Sequence, residues 1–223
     1  MSDKDLWSRV DKTDPKFTKK VNQRGGFTSI DATYQAKKAS EQFGPYGMGW
    51  GLSEIEYNYD LLASTGLVIC KATFFYIIDD KRAEFPIHNA IKAVAKDRAD
   101  EDFCKKLETN TVSKALAKLG FCADVFMGQF EDRDYLAEAT TRSDIDRADE
   151  KDAVISEKNQ ELIDYTGKNL KGIEHAPSDH AAHGIYQVAF KHLQRQSQIP
   201  EVRQTAEAGL NRLNEELAKR TKA

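Results

Sequence analysis

Residues 67 to 79 read LVICKATFFYIID, a run of β-branched and aromatic side chains that predicts a long strand. DDKR, 79 to 82, predicts a hairpin turn, and AEFPIHNAI returns as a further strand. Pro86 has no N–H to give to a ladder, so that strand must lie at a sheet edge or be short. Upstream, LSEIEYNYD alternates Ile55, Tyr57 and Tyr59 with Glu54, Glu56 and Asn58, the period of a half-buried strand. Three consecutive antiparallel strands therefore constrain everything placed around them.

A helix is expected from Asp31, which can cap it, with Ala32, Ala36, Ala39 and Phe43 on one face. EQFGPYGMGWG follows, with Gly44, Gly47, Gly49 and Gly51 crowded around a proline and a tryptophan. A phosphate-binding Walker loop needs a lysine after its last glycine, a strand before it and a helix after it. Here the order is helix, glycines, strand, and the lysine is missing. A dinucleotide fingerprint fails on the same order. The expectation is a corner, with Gly44 in a left-handed helix cap and Trp50 in the core. TDPKFTKKVNQRGG, before the helix, reads as irregular.

DEDFCKKLETNTVSKALAKLG predicts a long helix. Cys104, Val112, Ala115, Leu116 and Leu119 mark its inner side, and Lys106, Asn110, Lys114 and Lys118 recur every four residues on another. Phe121, Val125, Phe126 and Met127 are then available for packing. The order helix, three strands, long helix places the chain in the α+β class. A composition shift divides it into 1–140 and 141–223. SDIDRADEKDAVISEKNQ is an acidic linker or exposed helix, and the remainder is helical. Ile185, Val188 and Leu193 suit one amphipathic helix begun near Ser178 and Asp179. Val202, Ala206, Leu210, Leu213 and Leu217 suit a second, with Pro200 in its first turn.

No apolar run approaches the roughly 20 residues of a membrane span, and MSDKDLWSRVDK lacks the apolar stretch of a secretory leader. Cys70, Cys104 and Cys122 form neither a disulfide framework nor a paired metal motif, which suits buried thiols in a reducing cytoplasm. His175, Asp179, His180 and His183 match no zinc spacing and read as a solvated helix start. Asp79, Asp80 and Glu84 read either as a turn or as the carboxylates of a metal-dependent nuclease. No serine, cysteine or histidine sits in a nucleophile-activating motif.

The formal net charge is -3, yet cations cluster: Lys12, Lys16, Lys19, Lys20 and Arg24, with Lys37 and Lys38 after them, and then Lys92, Lys96, Arg98, Lys105, Lys106, Lys114 and Lys118. Four residues at the helical rise span about 6 Å, close to the spacing of backbone phosphates. Asn110 and Ser113 break the stripe with hydrogen-bond donors rather than acids. Such a face is either simply solvated or holds phosphates without reading sequence.

Taken together these stretches resemble the single-strand DNA annealing proteins, and within them the Sak-type phage recombinases, relatives of the annealing domain of the eukaryotic Rad-fifty-two protein. The resemblance is carried by Phe43, Gly44, Gly49 and Trp50, by Thr109, Lys114, Ala115, Leu116 and Gly120, and by Asp132, Arg133, Asp134, Tyr135 and Leu136. It spans roughly residues 15 to 140. It implies a β-β-β-α core, an oligomeric ring or filament, and a basic groove that holds single-stranded DNA with its bases outward. It implies no ATP, no metal, no other cofactor and no bond chemistry. It assigns DNA contact to Lys114, with Lys106, Lys118, Asn110 and Ser113 beside it and Lys19, Lys20 and Arg24 nearby. Relatives often carry two adjacent basic residues where this chain has Ser113-Lys114, so either Lys106 and Lys118 compensate or DNA binding is weaker. The resemblance places the protein in the bacterial cytoplasm of a phage host. The C-terminal helices would recruit a host single-strand-binding protein or a phage exonuclease, or would buttress the ring. A protein adaptor built on those helices is the further alternative.

Overall fold

The computed structural model describes residues 3–22, 26–95 and 98–220. Helix and antiparallel sheet are both present, with helices at the C-terminal end, in agreement with the α+β class. The chain forms two compact units, Met1–Thr13 with Phe17–Gly128, and Asp14–Lys16 with Gln129–Ala223. The division expected at 140 falls inside a helix of the second unit.

The first unit runs α1 (Asp3–Val10), β1 (Thr18–Val21), β2 (Phe27–Ile30), α2 (Ala32–Phe43), β3 (Trp50–Asn58) and α3 (Leu62–Thr65). It continues with β4 (Leu67–Ile78), β5 (Lys81–Lys92), β6 (Val94–Ala95), β7 (Arg98–Ala99), α4 (Phe103–Lys118) and α5 (Ala123–Phe126). Its main sheet has the order β3-β4-β5, antiparallel throughout. Asp79 and Asp80, with φ of 49° and 59°, make the two-residue turn between β4 and β5. Positive φ at both positions is the turn whose twist matches the strands it joins. Pro86 sits in β5, an edge strand, where its missing N–H removes nothing from the ladder.

Along β4, Val68, Cys70, Ala72, Phe74 and Tyr76 face a core that includes Trp50, Leu107, Ala115, Leu116 and Phe121. The expected inward set on β3 needs correction. One extra residue is inserted between Ser53 and Glu56, with Glu54 at φ 53°. The bulge resets the alternation, leaving Ile55 exposed and Tyr57 against the core, while Tyr59 lies past the end of β3 and is exposed. Residues 18–21, expected to be irregular, pair with 27–30 instead. Cys104 is exposed while Cys70 and Cys122 are buried, because the inner face of α4 is Leu107, Thr111, Ala115 and Leu116. Phe121 and Val125 pack, but Phe126 and Met127 are exposed.

The helix-to-strand corner is built as expected, with one correction. Asp31 caps α2 by accepting from the N–H groups of Thr33 and Tyr34. Gly44 ends the helix at φ 87°, ψ -166°, a conformation essentially reserved for glycine rather than the left-handed helical one. Trp50 is buried. A Cβ on Gly49 would lie 1.7 Å from the Phe43 carbonyl oxygen, so backbone meets backbone there.

The second unit packs α6 (Arg133–Arg147), α7 (Lys151–Glu174), α8 (Asp179–Gln196) and α9 (Arg203–Arg220) around Leu162, Ile173, Leu193, Val202, Ala206 and Leu213. The acidic stretch after 140 is thus helix, apart from a short break between α6 and α7. Ser178 caps α8 as expected. Val188 is exposed, however, and Pro200 lies in a turn that precedes α9. Arg220 clamps the end of α7, donating to the carbonyls of Ile173, Glu174 and Ala176.

Asp132, Asp134 and Tyr135 belong to this unit. Asp132 caps α6, and Lys191 bonds Asp132 at 3.0 Å and Asp134 at 3.3 Å. His192 sits 3.5 Å from Asp134 and against the ring of Tyr165. Burial lowers the His192 pKa, and Asp134 offsets this only in part. A depressed imidazole pKa favours the neutral form in the fold, so stability is full above the unfolded value near 6.5 and falls as pH drops through it. The melting temperature of this unit should therefore fall between pH 7.5 and pH 5.5. His192→Gln should shrink that difference; an unchanged difference would clear His192 of the effect.

Candidate nucleic-acid interface

The glycine corner offers no phosphate cradle. The N–H of Gly47 bonds Trp50, those of Met48 and Gly49 bond Pro45, and the N–H of Gly44 bonds Ser40. A nest of amides binds an anion only when the amides are unspent.

The long-helix lysines are present but spread. Each four-residue step turns the helix by about 40° beyond a full revolution, so Lys106 and Lys118 lie about a third of a turn apart. Lys106 pairs with Asp100 at 2.7 Å, which raises the lysine pKa and lowers that of the carboxyl. The pair is exposed and is readily exchanged for another anion. Lys114 donates to the carbonyl of His88 at 2.9 Å, on the edge strand β5. Lys118 lies over the Phe85 ring. Asn110 is exposed. Ser113 turns instead toward α2, where its hydroxyl donates to Gln35. Lys19 and Lys20 are adjacent on β1, so they project to opposite faces of the β1–β2 ribbon. Arg24 and Lys96 lie outside the described residues. Lys38 is engaged in holding the carbonyls of Val10 and Lys12.

What the sequence did not single out is a groove of about 580 Å³ between α2 and α4. Its lining includes Lys37 and Lys105, the hydroxyls of Thr33, Ser40, Thr109 and Ser113, and the rings of Tyr46 and Trp50. Glu108 is the acid among them, and burial followed by Glu108 raises the Tyr46 pKa. The Tyr46 ring meets Trp50 edge-on at 4.9 Å and remains about half exposed. Trp50 donates its Nε1–H to Ser40. Gln35 lines the groove from the same helix face as Ala39 and Phe43, a polar residue on an apolar stripe. That mismatch was the readable signal.

The chain matches no protein-family model, and it has no significant match among curated proteins or among solved structures.

The carboxylates Asp79, Asp80 and Glu84 do not assemble. The aspartates occupy the turn and Glu84 pairs with Arg82. Among the described residues no three His, Cys, Asp or Glu side chains form a group that could hold a metal ion, the histidines of 175–183 included. No described helix is long and apolar enough to cross a membrane.

Proposed function

We propose that this chain binds single-stranded DNA and anneals complementary strands without ATP, as a homo-oligomeric ring or filament serving DNA recombination and repair. The observation that carries the reading is the α2–α4 groove, with two lysines and an exposed tyrosine in its lining. It lies between the helix that precedes the three-stranded antiparallel sheet and the long helix that follows it. Lysines neutralise phosphate, aromatic rings hold bases, and neither reads sequence. Lys106, Lys114 and Lys118 extend the cationic surface along α4, and the Lys106–Asp100 pair yields readily to phosphate. No bond is made or broken; the protein raises the frequency of productive encounters. Oligomerisation would link many weak sites into a strong one. The helical unit is the candidate for recruiting a host single-strand-binding protein or a phage exonuclease in the bacterial cytoplasm.

The test is fluorescence-monitored annealing of two complementary oligonucleotides without nucleotide or metal. Acceleration well above the spontaneous rate is expected; neither binding nor acceleration would overturn the reading. In a salt series, the double variant Lys37→Ala, Lys105→Ala should flatten the slope of log K against log salt by about 1.4, near 0.7 for each phosphate no longer neutralised. An unchanged slope would remove both lysines from the interface.

A further inference from the structure

Gln35 is 1% exposed. Its Oε1 accepts from the Ser113 hydroxyl, and its Nε2 has no hydrogen-bond partner. Exchanging the two amide atoms gives Ser113 a new partner atom but leaves the carbonyl oxygen unpaired instead. Either assignment leaves one strong hydrogen-bonding group of a buried side chain unused, on a residue that lines the α2–α4 groove. Native folds rarely keep such a group without a use for it.

The surroundings narrow what would complete it. The groove lining is largely apolar, with Ala32, Ala36, Val112 and Trp50 in it and Tyr46 exposed among them. A bare phosphate would accept from the amide but leave the ring unused. An aliphatic side chain would leave the amide unmet. A planar heteroaromatic ring with donors and acceptors along its edge satisfies both, and glutamine is one of the side chains that reads such edges. Lys37, exposed and paired only loosely with Glu41 at 3.8 Å, and Lys105 also line the groove and suit neighbouring phosphates. We propose that the α2–α4 groove takes one unpaired nucleobase of a bound single strand, with Gln35 hydrogen-bonding its edge. This rests on the single-strand binding reading and adds to it: most bases stay free to pair, while one is turned inward at each protomer.

The test compares two labelled oligomers of equal length, oligothymidylate and its fully abasic counterpart, binding to the full chain by fluorescence anisotropy at several salt concentrations. The abasic strand should bind about tenfold more weakly, with the same salt slope. Gln35→Leu, which conserves volume and removes the unpaired amide, should bring oligothymidylate toward the abasic level and leave abasic binding unchanged. Should that variant fail to fold, Tyr46→Ala, at an exposed position, should show the same convergence. Equal binding of the two strands by the unmodified protein would overturn the base pocket while leaving single-strand binding intact. A base preference untouched by both variants would overturn the assignment to this groove. Binding of neither strand would overturn both readings together.

Discussion

Gly49→Ala should unfold the sheet-bearing unit. The added Cβ would sit 1.7 Å from the Phe43 carbonyl oxygen and 2.7 Å from its carbon. Both are backbone atoms, held by the last turn of α2, so no flexible side chain can give way. Relief would require α2 to part from β3, and the carbonyl of Gly49 is itself bonded to the N–H of Ile77 on β4. A loss of at least about 4 kcal/mol is expected, at the severe end for one substitution. Urea unfolding followed by the near-ultraviolet signal of Trp50 would measure it. Gly167→Ala is the matched control. Nothing lies within 4 Å of its added Cβ, it lies inside α7, and the change should stabilise by about 0.5–1 kcal/mol. Near-wild-type stability of the Gly49 variant would mean the corner is looser than its geometry.

Asp124→Ala should be nearly as damaging. Asp124 is 1% exposed and accepts from the Thr13 N–H at 2.8 Å, the Thr13 hydroxyl at 2.5 Å and the Val125 N–H at 2.9 Å. Alanine would strand the Thr13 donors, on a residue itself 3% exposed. Bonds to charged groups and orphaned buried donors together set the loss at about 3 kcal/mol. Asp124→Asn keeps one acceptor and should lose roughly half of that. Equal stability of the alanine variant and the wild type would show that water replaces the carboxylate.

Features that depend on local chemistry were legible in the sequence. Asp31 and Ser178 cap the helices they precede, the β4–β5 hairpin turns at Asp79–Asp80, and Pro86 marks an edge. Features set by tertiary packing were not. The bulge at Glu54 depends on what β4 presents opposite, and it turned Ile55 outward against its apparent alternation, while the strand ends before Tyr59. A period of four residues suggested a straight lysine stripe, but 3.6 residues per turn carries it around α4 toward β5. Lys105 is far in sequence from Lys37 and Tyr46, and only the packing of α2 beside α4 brings it to their groove.

The Thr13–Asp124 tie spans 111 residues. Val10 and Leu6 share their core with Phe121, and the N–H of Cys122 bonds Val10. During synthesis the first helix therefore leaves the ribosome long before the segment that completes its surroundings. At 5–20 residues per second the delay is on the order of 10 s. Throughout that interval the apolar side of α1 lacks its later-made neighbours and is open to chaperones or to other nascent chains. The helices from Arg133 onward meet their partners within a few tens of residues. Ribosome pausing between α1 and the segment that completes its surroundings would therefore endanger α1 more than the helices from Arg133 onward.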